Sequence, residues 1–550
     1  VSTINSLKNK KYPVIYLLII VGFLVVGLLV PDVYEIREEV SFATREEIRE
    51  EITAEVTEYM LYEDPYATQE DILYAVVEAI EEEVAAAVTD ALSAALGLWV
   101  LVPAAFLITY IMITKRIIEG LALSLVLGVI VGYKGDFFAA LNDIMFETQV
   151  GEDLVWLILV CGMMSGFVCL LEKTGGGFAF ARLAARIAKT ARPTLITTAL
   201  CSLLLSLDDY LAILTTGSAM TPVNDRNKTP REMTAYVIDA MGAPASGLNP
   251  ISTWGAFIGL MLVSNGLGES GGEILSFLQV LPFTFYPMAT MIVLILVLAG
   301  IIPAIGPMRG AYKRVAQGGP LAPPGSERYD IRQGGDADIE TPENPKLYNF
   351  FVPIFVLIGT TIFFEFDLMM GVIATLGFCF VFFVFQGILG PMEFVDELIR
   401  GIKNLAMIFV FCLLGFSFAA LVNEIGFVQF FIELAVQNLT APILAPVLFI
   451  VLAAVAFVTA EDWGLYIIAL PIAIPVAIHM GVNPYFAASA VVSAGILGSH
   501  AAFFSDSTMI TSAATGCDTF RHGITQLPYV IIGVVLTTIA YFVAGFVMYG

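Results

Sequence analysis

Charge is scarce in this sequence of 550 residues. Asp, Glu, Lys and Arg make up 14% of it, where a soluble globular domain carries about 25%. With 58% hydrophobic residues, a soluble enzyme of this size is excluded, because one core cannot hide so much apolar surface from water. Histidine is nearly absent: three residues in the whole chain, too few for a His-rich metal site. The six cysteines form no Cys-x-x-Cys pair and mostly lie in apolar runs. They read as small buried hydrophobes, not as a disulfide framework or metal site. There is no basic stripe for nucleic acid and no P-loop for ATP. Strict apolar/polar alternation is missing too, which excludes an outer-membrane β-barrel.

What the sequence has instead is long apolar runs. Mean hydropathy is +0.85, and stretches of 18 or more mostly apolar residues recur, the mark of membrane-spanning helices. The net charge of −24 is concentrated in residues 32–90, which hold 19 acids and three bases (Arg37, Arg45, Arg49). Apolar residues recur there at helical spacing (Ile48, Ile52, Val56, Met60, then Ile72, Val76, Ile80, Val84) on either side of Asp64-Pro65. This predicts a helical hairpin outside the membrane. Such a surface suits high salt or a dimer contact better than a cation funnel.

The first apolar run, 12–30, follows Lys8, Lys10 and Lys11 and reads as a signal anchor with its N-terminus inside. Spans follow at 98–114, 117–133 and 154–171. Traced crossing by crossing, 22 of the 26 bases fall on the inner side, as the positive-inside rule requires. The apolar run 194–223 lies between Arg192 and Arg226, both assigned inside. A single crossing cannot return the chain to its starting side, so this run predicts a re-entrant hairpin with Ser206-Leu207-Asp208-Asp209-Tyr210 at its tip. A broken crossing at 236–267 and a long run at 277–307 come next. The linker 308–346, rich in Gly, Pro and charge, reads as a mobile cytoplasmic loop. Spans at 350–364, 369–388 and 405–422 precede a second long region, 443–480, with Glu461-Asp462-Trp463 at its middle. A broken crossing at 484–514 and a last helix at 527–548 complete the chain.

The expected fold is therefore an all-α polytopic membrane protein of about 11 transmembrane helices and two re-entrant hairpins. Its segments are a signal-anchor helix (1–31), an acidic extracellular helical hairpin (32–96), a first transporter repeat (97–307), a cytoplasmic linker (308–346) and a second repeat (347–550). The two repeats share a register. At an offset of 253, Asp208-Asp209-Tyr210 falls on Glu461-Asp462-Trp463, Pro222-Val223 on Pro475-Val476, Gly242 on Gly495, Ser246 on Ser499 and Ser252 on Ser505. One hairpin opens inside and the other outside, which makes this an inverted repeat, the architecture of secondary transporters.

A carboxylate in a bilayer is costly and marks a functional site by default. The candidates are Asp208, Asp209, Asp239, Glu461, Asp462 and Asp506. Close carboxylates can hold a hard cation such as Na⁺, and the set expected to ligate it is Asp208, Asp209, Asp462 and Asp506. The same oxygens can take protons. Further ligands would come from hydroxyls and amides at the breaks: Asn249, Ser252, Thr253, Ser505, Ser507 and Thr508. Neighbouring residues on a helix point about 100° apart, so Asp208 and Asp209 need not share a site, and one of them can cap a helix start. Asp239 also reads as an interfacial residue, and Glu461 and Asp462 as structural. His500 reads as a packed, hydrogen-bonded residue, and Tyr210, Trp254 and Trp463 as packing residues.

At these residues the sequence resembles the NhaC-type Na⁺/H⁺ antiporter family of the ion transporter superfamily. The runs that carry the resemblance in the first half are Leu207-Asp208-Asp209-Tyr210, Arg231-Glu232, Ala235-Tyr236-Val237-Ile238-Asp239, Ala243-Pro244 and Pro250-Ile251-Ser252-Thr253-Trp254. In the second half they are Trp463-Gly464, Leu470-Pro471, Ser505-Asp506-Ser507-Thr508, Gly516-Cys517-Asp518 and Thr525-Gln526-Leu527-Pro528-Tyr529. The acidic segment is not part of the family pattern. The second tip departs as well: Ala460-Glu461-Asp462-Trp463-Gly464 stands where the family has Gly-Thr-Ser-Trp-Gly, adding two acids. The resemblance implies Na⁺/H⁺ antiport in a prokaryotic plasma membrane, with Na⁺ and H⁺ transported, no cofactor, and a homodimer among membrane lipid. The rival readings are a cation-coupled carrier of an amino acid or dicarboxylate, an intramembrane aspartyl protease and a channel. The protease lacks its Gly-x-Gly-Asp motif, and nothing resembles a channel's selectivity filter.

Overall fold

The protein is described here from a computed structural model, over residue 16 and residues 18–63, 68–114, 116–134, 137–146, 148–176, 179, 190–326, 346–460 and 462–550. Among these residues every regular element is a helix. Seven described helices are long and apolar enough to cross a membrane, or nine when two bent pairs each count as one span. The expectation of about 11 also counted 117–133 and 350–364. There the helices Ile117–Tyr133 and Tyr348–Phe363 belong to a shorter apolar class, below the 18-residue length.

The chain divides into two compact units. One comprises Val1–Val150 and Leu413–Asn438. It contains the acidic hairpin, whose arms Tyr34–Glu63 and Gln69–Leu96 pack along each other. The turn at Asp64-Pro65 lies outside the described residues. Thr68 opens the second arm with a capping box: its hydroxyl accepts the Asp71 N–H, and the Asp71 carboxylate accepts the Thr68 N–H. Both otherwise orphaned donors are satisfied. The arm's apolar face buries Val76, Val84, Val88 and Leu92. Arg37 ties the other arm to this unit's helices. Its guanidinium lies 2.5 Å from Glu424 and 4.2 Å from the Tyr133 ring centroid, and Glu424 also accepts the Tyr133 hydroxyl.

The other unit comprises Gly151–Cys412 and Leu439–Gly550. Here the repeat read from the sequence reappears as geometry. Helices that start at Ala191, Arg231 and Thr253 have counterparts that start at Leu444, Pro484 and Asp506, a constant 253 residues later. Between them, Asp209–Arg226 corresponds to Trp463–His479. Each half thus runs helix, break, helix, helix, break, helix. The breaks have local causes. Ala460 ends its helix in the left-handed conformation at φ +60°, which costs an L-residue about 1–2 kcal/mol. Ser252 and Ser505 each start the helix after the second break, accepting N–H groups from Gly255 and Thr508.

Two expectations are refined. The run 277–307 is not one straight helix. It is two helices, Glu273–Val280 and Phe285–Leu298, joined by the 3₁₀ turn Leu281–Phe283 and bent by 57°; Pro282 supplies no N–H for a continuous ladder. Nor is the linker a free loop throughout. It opens with the helix Gly306–Ala316, and Arg314 grips Glu232 through two bonds of 2.7 and 2.8 Å. Leu321 accepts the Arg231 N–H, and Ser326 accepts the Asp518 N–H. The bonds to Glu232 hold the Arg314 guanidinium above its usual pKa. Residues 327–345 lie outside the described residues.

The Asp209–Arg226 helix packs on the Asp506–Thr515 helix. A β-carbon added at Gly217 would stand 2.6 Å from the Ala514 β-carbon. Gly217→Ala is therefore expected to lower stability by about 1–3 kcal/mol through overpacking. A thermal melt of the purified variant checks this, and a melt within error of wild type would contradict it.

Candidate functional site

Four helices of the second unit begin next to one another. Asp208 caps the Asp209–Arg226 helix, with Oδ1 accepting the Leu211 N–H at 3.1 Å. Its Oδ2 accepts the hydroxyl of Thr253, the first residue of another of these helices, at 3.2 Å. The Thr253 N–H in turn reaches the Leu207 carbonyl at 3.3 Å. Asp462 caps the Trp463–His479 helix and accepts the Trp463 N–H at 2.7 Å. Asp506 starts the fourth helix, with Oδ1 accepting the Ser507 N–H at 2.8 Å and Oδ2 accepting the Tyr210 hydroxyl.

Asp209 is buried within this arrangement. The carboxylates of Asp208, Asp506 and Asp462 act on it electrostatically. Each helix start presents unpaired N–H groups and roughly half a positive charge. Four such ends offset part of the repulsion among four acids. Aromatic rings seal one flank: Phe257 lies 4.2 Å from Trp463, and Trp254 lies 6.4 Å from Trp463 and 6.5 Å from Tyr466.

The remaining candidates divide. Asn249 braces the first tip, donating to the Ser206 carbonyl at 3.0 Å and accepting the Ile251 N–H at 3.2 Å. The Ser252 and Ser505 hydroxyls serve as helix caps, and Ser507 donates to the Ser499 carbonyl at 2.6 Å. Thr253 is the break hydroxyl that touches an acid of the cluster. Glu461 lies outside the described residues. Asp239 is fully buried within the protein, and it pairs with a residue the sequence did not single out: His522 Nε2 lies 2.9 Å from Asp239 Oδ2. Thr508 approaches the same oxygen at 3.5 Å. His500 is packed as expected, its Nδ1 2.8 Å from the Tyr286 hydroxyl. Trp254 and Trp463 pack as expected too, but Tyr210 does more than pack, since it donates to Asp506.

Glu172 is another acid the sequence left aside. Arg400 lies 3.4 Å from it, and it acts electrostatically on Asp208. Its position beside Lys173 at the end of a span hid it. All six cysteines are free and buried.

An acid cluster built from paired, register-matched helix starts inside a bundle of apolar helices is what a carrier needs. Residues 276–546 match the Na⁺/H⁺ antiporter family. Over that stretch the chain is similar to this family, and the match supports a membrane transporter. An uncharacterized protein of Haemophilus influenzae is similar at 24% identity over 495 residues, covering 82% of this chain and 92% of its own. Among solved structures, MtrF of Neisseria gonorrhoeae, described within a class of antimetabolite efflux pumps, shares the fold. It has a TM-score of 0.52 at 12% identity, over 75% of this chain and 85% of MtrF. The YdaH transporter of Alcanivorax borkumensis gives a TM-score of 0.46 at 12% identity, over 79% of this chain and 99% of its own.

Proposed function

We propose that this chain exchanges Na⁺ for H⁺ across a prokaryotic plasma membrane, by competition of the two ions at Asp208, Asp209, Asp462 and Asp506. The meeting of four helix starts, three of which carry the four acids, around Asp209 carries this reading. Ionised carboxylates crowded away from water repel one another, and either a cation or a proton relieves that repulsion. One site that holds either ion, but not both at full strength, couples their gradients without any ATP-binding element. The carbonyls freed where the helices break supply further oxygens of the kind Na⁺ prefers. Thr253 and Asn249 brace the first tip so that Asp208 and Asp209 keep their spacing. Asp239, with His522, is assigned a proton-holding role.

The two halves act as an inverted repeat whose tips are re-entrant hairpins, with the N-terminus cytoplasmic and the acidic hairpin outside. A homodimer is the proposed assembly. A second reading, a coupled carrier of an amino acid or dicarboxylate, is favoured by the same helix starts, since their positive ends suit an anionic substrate.

Purified protein in liposomes separates the two readings. The exchange reading expects an outward Na⁺ gradient to drive proton uptake with no organic solute present. Flux that appears only after an amino acid or dicarboxylate is added would replace it with the second reading.

A further inference from the structure

Both oxygens of the Asp506 carboxylate accept a hydrogen bond. Its Oδ1 accepts the Ser507 N–H of its own helix, and its Oδ2 accepts the Tyr210 hydroxyl. The two Asp506 bonds differ in kind. The Ser507 bond is part of the helix start and persists while that helix exists. The Tyr210 bond comes from the other half of the protein, 296 positions away in the chain, and from a side chain that is 37% exposed, with room to swing. Further along the same two helices, Gly217 fits against Ala514 with no space for an added carbon. The helices are thus fixed at the middle of one and the far end of the other, and the phenol joins them at their starts.

We propose that Tyr210 is a latch on Asp506, whose hydroxyl competes with the transported cation for Oδ2 and thereby sets cation affinity. A hydroxyl donor and a cation seek the same lone-pair density, so a cation takes this oxygen at full strength only when the phenol lets go. The cation gives up the free energy of that hydrogen bond each time it loads. The inference rests on the exchange reading for the identity of the ion. It adds a specific role for a residue that carries no charge of its own.

The test compares wild type with Tyr210→Phe and Tyr210→Leu, both of which remove the hydroxyl; the second serves if the first does not fold. The melting temperature of each purified protein is followed as NaCl is titrated at constant ionic strength with choline chloride. The expected result is that Na⁺ stabilises all three, with the half-effect concentration about ten-fold lower in the variants, the worth of one hydrogen bond to a charged group. A merely structural role would weaken binding instead. An unchanged or raised half-effect concentration overturns the latch, as does an absence of any Na⁺ stabilisation. Proton flux in liposomes is measured beside it. If Na⁺ stabilises the proteins as expected but drives no flux in wild type, the exchange reading fails and the latch stands.

Discussion

Asp209→Asn is expected to reduce Na⁺-driven proton flux in liposomes to below about one hundredth of wild type, with the protein still folded and inserted. Asp209 is the acid on which the other three carboxylates of the cluster act. Asn keeps the size of Asp, so the fold is retained. What it loses is the countercharge for a cation and the ability to take a proton. Removing one partner of a buried charge pair costs about 3 kcal/mol or more, which is at least about 100-fold in affinity. On the proposed competition both ions use the same oxygens, so exchange and proton binding fall together. The check is flux across several Na⁺ concentrations, with the elution profile in detergent reporting folding. Exchange at the wild-type rate would remove Asp209 from the mechanism.

Arg314→Ala is expected to produce the largest loss of stability. Glu232 is 2% exposed, and both of its oxygens are held by the Arg314 guanidinium. Without that partner a buried carboxylate stands uncompensated, a situation that costs about 3–5 kcal/mol. Arg314 is itself 23% exposed, so water reaches the vacated place and the lower end applies. Thermal melts of the purified protein measure the loss. Adding Glu232→Gln to Arg314→Ala removes the stranded charge and is expected to recover most of it. A single variant that melts with wild type would show that the linker does not depend on this grip.

Between them, these two residues mark what sequence reasoning reached, the burial of Asp209, and where it ran out. Asp209 was legible because lipid makes a buried acid expensive, so its place in an apolar run is informative. The repeat was legible for a related reason: helix starts need caps, and capping residues recur at a fixed offset when the halves are copies. Arg314 was not legible. A Gly-, Pro- and charge-rich stretch looks solvated, and nothing local reveals that one of its arginines meets a buried Glu 82 positions earlier. Tyr210 and His522 were hidden in the same way. Their partners, Asp506 and Asp239, lie 296 and 283 positions away, and a tyrosine or histidine in a helix reads as packing until tertiary structure supplies the partner. The bend at 281–284 was missed because apolar composition continues straight through it.

The copies also differ by one step, and the difference has an outcome. In the first half Asp208 caps the helix, leaving the next acid, Asp209, inside it; in the second half the residue matching Asp209, Asp462, is itself the cap. Asp462 therefore already draws on a main-chain amide, while in the first half the capping amide bond goes to Asp208. The register-matched acids thus sit one position apart relative to their helix starts. On the proposed exchange, the acid that does not cap its helix is the one where an arriving ion gains most.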